Sequence, residues 1–122
     1  MSSVCIGHEL ELRLRHLKDA CRPFLECHHT RSSARDAALE LVRWFATATA
    51  ITMTDGDGLP TSTAMTVAKR VAALAAETAE IVADDLALWE WERVQVAVQM
   101  VREHLPACEG ALRLHNEPAC EL

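Results

Sequence analysis

Between Ile6 and His28 the apolar residues recur at steps of three and four. Placed at about 100° per residue, Ile6, Leu10, Leu14, Leu17, Cys21, Phe24, Leu25 and His28 fall in one stripe. A stripe of that period buries itself only as a helix face against other helices. It keeps its phase through Pro23, where a proline removes a hydrogen bond and crowds the preceding turn. Unbroken phase predicts one kinked helix over about residues 7–29.

The pattern repeats along the chain. Ser33 with Asp36 resembles a capping box, and Ala34, Ala37, Ala38, Leu41, Phe45 and Ala48 share a face, predicting a second helix over 34–51. Ala64, Val67, Val71, Leu74, Thr78, Ile81 and Val82 predict a third over 62–83. The next residue in phase is Asp85, which cannot continue an apolar stripe. Asp84 and Asp85 are favourable at a helix N-terminus and unfavourable at a C-terminus, so a junction is placed there. A fourth helix follows over 86–104, ending before Pro106, with an irregular tail over 106–122. Four helices with short connections predict an all-α, up-down bundle in a single domain. At 122 residues the chain can bury a core without disulfides or metal. The absence of Tyr and the presence of only 4 Gly and 4 Pro favour helices too.

One segment supports a rival fold. Ala46–Thr54 alternates with period two, and the Asp-Gly pairs at 55–58 are a hairpin signal. A hairpin over residues 45–67 would make the fold α+β. Alanine is a poor strand residue, and Ala34–Phe45 already sets a helical phase, so the helical reading leads.

The fourth helix carries two apolar faces. Ala87, Trp91, Val94, Ala97, Val98, Val101 and Leu105 lie within about 120° of arc and belong in the core. Trp89, Val96 and Met100 form a narrower stripe roughly opposite. Two readings explain it: a central helix covered on both sides by its own chain, or a surface for a second copy or another protein, where Trp and Met are enriched.

The net charge of −6 sits mainly in the second half of the chain. Between Val71 and Glu92 there is no Lys or Arg, but there are Glu77, Glu80, Asp84, Asp85, Glu90 and Glu92. Nucleic acid is excluded as a bulk partner, because phosphate contacts need a basic field. Arg15, Lys18 and Arg22 form a basic stripe on the first helix, but it is short and interleaved with acids. No apolar run approaches the roughly 20 residues of a membrane span, and the first residues lack an apolar leader segment. A cytoplasmic protein with free thiols is expected; its 5 Cys are an odd number.

Chemistry-bearing residues are few. Cys5 and His8 begin the chain, and His104 and Cys108 stand near the predicted end of the fourth helix. The bundle topology would bring these pairs together as a Cys2His2 set for zinc. Glu26 and His29 match half of a di-metal carboxylate pattern whose other half is missing. Asp55–Gly58 fails as a calcium loop, because Met53 and Ala64 would occupy the ends where carboxylates are needed. Glu77, Glu80 and Asp84 lie on one side of the third helix, as in magnesium-dependent all-α nucleotide hydrolases, with only Asp36 and Glu40 as the second pair. A solvated acidic face is the simpler reading. No nucleophile with a matched base is visible, so no enzyme is expected and no cofactor is required.

The function expected is therefore a dimerising regulator, adaptor or inhibitor of another protein. Trp89, Val96 and Met100 would be its anchors, with Glu77, Glu80 and Asp84 steering. Zinc binding is the alternative, and magnesium-dependent nucleotide hydrolysis a weaker one.

Overall fold

A computed structural model describes residues 6–26, 32–51 and 58–116. Helix α1 spans Ile6–Glu26, α2 Ser32–Ala50, α3 Ser62–Ile81 and α4 Leu88–Asn116, with one 3₁₀ turn at Ala83–Asp85. Among the described residues there is no strand. The all-α bundle expected from periodicity is the fold.

Most residues of the predicted stripes are buried, but Ile81 of the third and Ala87 of the fourth are exposed, and Ile6, Leu25 and Ala37 are only half-buried. Leu10, Leu14, Leu17, Cys21 and Phe24 of α1 are buried, as are Ala34, Ala38, Leu41, Phe45 and Ala48 of α2. Pro23 sits inside α1 without disturbing the stripe. Helix α3 buries a wider arc, made largely of alanine: Ala64, Ala68, Ala72, Ala75 and Ala79 alternate with Val67 and Val71. Small side chains let it pack closely against two neighbours. The extensive seams are α1 with α4, α4 with α3, and α3 with α2, while α1 and α2 meet only slightly.

Helix α1 and helix α4 run antiparallel. His104 Nε2 bonds the Ile6 carbonyl at 2.9 Å, and Arg13 Nη1 donates to the Met100 carbonyl at 3.5 Å. The first turn of α1 is tied to the segment before α3, since Gly7 N–H donates to the Gly58 carbonyl at 3.0 Å. Gly58 has φ 77°, the left-handed region that glycine enters without strain.

Local chemistry explains the helix boundaries. Thr61 caps α3, its hydroxyl accepting from Ala64 N–H at 3.0 Å. Helix α3 ends at Ile81 and the 3₁₀ turn carries Asp84 and Asp85, the junction expected from their charge. Glu90 accepts from the Ala87 N–H at 3.2 Å, which steadies the start of α4. The residues of the rival hairpin that are described are helical up to Ala50 and again from Ser62; residues 52–57 lie outside the described part. Threonine tolerates the helix here because Thr47 and Thr49 turn their hydroxyls onto the Arg43 and Phe45 carbonyls, at 3.0 and 2.9 Å.

The end of α4 departs from expectation. It does not stop before Pro106 but continues through it to Asn116, so residues 106–116 are helix rather than irregular tail. The physical reason is packing. Cys108 is fully buried and Leu112 partly so, in the same phase as Val98, Val101 and Leu105. Lys69 of α3 also holds Glu109 at 3.4 Å. Continued burial against α3 offsets the hydrogen bond that proline removes. Residues 117–122 lie outside the described part.

Candidate interaction surface

Helix α4 has a dry face and a wet one. Val94, Ala97, Val98, Val101, Leu105 and Cys108 are buried against α1 and α3. On the opposite side Trp89 is 61% exposed and Val96 58% exposed. Met100 is half-buried, its backbone carbonyl taken by Arg13. Among the described residues nothing covers Trp89 and Val96, so the described helices do not enclose α4 on both sides. Trp89 and Trp91 divide as their spacing requires: Trp91 packs against the core while Trp89 stands in solvent.

Because α4 runs past Pro106, the stripe is longer than the sequence reading made it. Ala107 and Leu114 continue it, both exposed, with Leu114 at 73%. Gly110 lies on the same side, and a Cβ added there would meet nothing within 4 Å. The signal that could have found these residues was the unbroken inner phase from Val101 through Leu105, Cys108 and Leu112.

The acidic residues lie apart from this stripe. Glu77 and Glu80 are exposed on α3 and Asp84 on the turn after it. Asp36 is exposed on α2, and Glu40 accepts the Trp44 indole N–H at 3.0 Å. Among the described residues no three His, Cys, Asp or Glu side chains gather as metal ligands would.

The fold does bring the two ends of the proposed zinc set into one region, as the His104 bond to Ile6 shows. Cys5 lies outside the described residues, and His8 is exposed beside Glu11. Cys108 is buried, and burial, the largest influence, pushes its thiol up to about 11, with Glu109 adding to the rise and Arg13 opposing it. A zinc-bound cysteine is a thiolate, so this burial works against ligation. Cys27, His28, His29 and Asp55–Asp57 also lie outside the described residues, and with them half of the Glu26–His29 pair and the acidic part of the loop.

The basic stripe of α1 is largely neutralised on its own helix. Arg15 pairs with Glu11 at 3.3 Å, and Arg22 with Asp19 at 3.1 Å and Glu26 at 3.7 Å. It borders a shallow groove of about 320 Å³ in the open seam between α1 and α2, lined by Leu14, Lys18, Phe45 and Ala48 among others.

No helix among the described residues is long and apolar enough to cross a membrane. In comparisons with known proteins, no family model, no curated protein and no solved structure matches this chain.

Proposed function

We propose that this chain is a protein-interaction module, acting as a dimerising regulator, adaptor or inhibitor in the cytoplasm through the outer face of α4. The observation that carries the reading is Trp89, 61% exposed on a helix whose other face is dry. Leaving a large indole in water forgoes burial energy that a core position would collect. With Val96, Met100 and Leu114 it makes an elongated apolar surface, the kind that marks a contact site. Glu77, Glu80 and Asp84 act at longer range, favouring approach by a basic partner surface.

Substituting Trp89→Asp together with Val96→Asp tests this. The expected result is unchanged helicity by circular dichroism with loss of self-association or of a cross-linked partner. Unfolding of the monomer, or association that survives both changes, would overturn it.

Zinc at Cys5, His8, His104 and Cys108 is a second reading, supported by the closeness of His104 to the start of α1. Metal analysis of protein purified without a histidine tag decides it; less than about a tenth of an equivalent per chain sinks it.

A further inference from the structure

Resting on the reading above, we infer that the outer face of α4 is covered by α4 of a second copy of this chain, packed antiparallel about a two-fold axis between Val101 and Arg102. The first ground is spacing. Trp89, Arg93, Val96, Met100, Glu103, Ala107, Gly110 and Leu114 advance by alternating steps of four and three, the seam pattern of paired helices. From Trp89 to Leu114 the helix is about 38 Å long at 1.5 Å per residue, which is more than three heptads.

The second ground is self-complementarity. About the proposed axis each large residue meets a smaller one or an apolar partner: Arg93 lies opposite Gly110, Val96 opposite Ala107, Trp89 opposite Leu114 and Met100 opposite Glu103. Both Glu92 and Arg113 are exposed beside the seam. The antiparallel arrangement sets Glu92 of one copy beside Arg113 of the other. A parallel one would set Arg93 against Arg93 and Glu103 against Glu103 in the seam, which disfavours it. Arg93 and Glu103 are the two charged residues of the seam, and Glu103 accepts from Gln99 at 3.2 Å. Polar residues in a seam fix register at some loss of affinity.

The third ground is Gly110 itself. Glycine inside a helix is unfavourable relative to alanine, and among the described residues nothing lies within 4 Å of a Cβ added there. No described residue of the same copy uses its notch. Across the proposed axis it receives Arg93.

Cross-linking and sedimentation test the arrangement. Val96→Cys and Ala107→Cys are made singly in a background with Cys5, Cys27 and Cys120 changed to Ser; Cys21 and Cys108 are buried. Wild type should sediment as a dimer at micromolar concentration. Mixing the two variants under oxidation should give the mixed disulfide about tenfold over either self-linked product, through high effective concentration. Gly110→Leu should weaken the dimer at least about tenfold without loss of helicity, because the seam leaves no room for the larger side chain. A monomeric wild type, or a dimer indifferent to Gly110→Leu, overturns the second copy as occupant. Self-linked Val96→Cys in excess overturns the antiparallel register. A dimer that survives Trp89→Asp with Val96→Asp defeats the α4 surface reading as well, which separates the two failures.

Discussion

Val98 and Val96 differ by two positions on one helix, and their surroundings could hardly differ more. Val98 is 1% exposed, within the core that α4 shares with α1 and α3; Val96 is 58% exposed. Both are β-branched, so local helix propensity cannot separate them. Their difference is wholly one of neighbours. One face of α4 makes the fold, and the other is free to make something else at little cost to it.

The sharpest way to break that comparison is to put the same charge on both faces. Val98→Asp buries an unpaired carboxylate and should cost more than about 4 kcal/mol, enough to unfold a domain of this size. Val96→Asp should change the stability of the isolated chain by no more than about 0.5 kcal/mol, as surface substitutions do. Urea denaturation of the two variants, at concentrations dilute enough to keep the chain monomeric, checks both. Comparable losses would mean that the outer face is also part of the fold.

The inner face was legible from the sequence because helical periodicity is a direct image of burial. The stripes of α1 and α2 match the buried residues closely. Helix α3 also buries Met65, Ala68, Ala72, Ala75 and Ala79 beyond its stripe while Ile81 is exposed, and the junction at Asp84 and Asp85 follows from broken phase and charge. The end of α4 differs from expectation: Pro106 looks like a terminator, yet the helix passes it as α1 passes Pro23. The same phase runs on through Cys108 and Leu112 and outweighs the lost hydrogen bond in both helices. That one boundary also hid Ala107, Gly110 and Leu114 from the candidate surface. Periodicity located the outer stripe, but it could not tell a covered stripe from an open one. That distinction depends on which helices flank α4, and it needed the tertiary arrangement. The zinc set failed to be decided for a similar reason: spacing brought Cys108 into a ligand set, and packing placed its sulfur in the core.

The thiols of the inner core offer a smaller and reversible probe. Burial pushes Cys21 up to about 12 from an ordinary value of 9.0. Cys108, on the dry face of α4, rises to about 11 for the same main reason. Above pH 9 the unfolded chain loses these protons while the folded chain keeps them. Stability should therefore be independent of these groups below about pH 9 and fall as pH rises beyond it. The slope is about 1.4 kcal/mol per pH unit for each thiol that stays protonated only in the fold. The absence of Tyr removes one competing titration in this range. Chemical denaturation between pH 7 and 11 should show a flat region and then a decline, and Cys21→Ala should make the decline shallower. A decline unaffected by that change would mean that Cys21 is ionised in the fold and its pocket is wet.

Gly110→Ala gives a small effect and asks most directly what the wet face is for. A helical glycine costs about 1 kcal/mol relative to alanine, chiefly through backbone freedom lost on folding. Sequences keep such a residue where a Cβ would collide or where φ must be positive. Among the described residues neither applies: Gly110 is helical, its φ is not positive, and an added methyl group touches nothing within 4 Å. The alanine variant should therefore raise the stability of the monomer by about 1 kcal/mol, read as a higher urea midpoint with an unchanged slope. A gain of that size would show that the bundle alone has no use for the glycine. Its purpose then lies outside the single chain, on the same side of α4 as Trp89. A loss instead would return Gly110 to the fold, and with it the claim that the two faces of α4 have separate tasks.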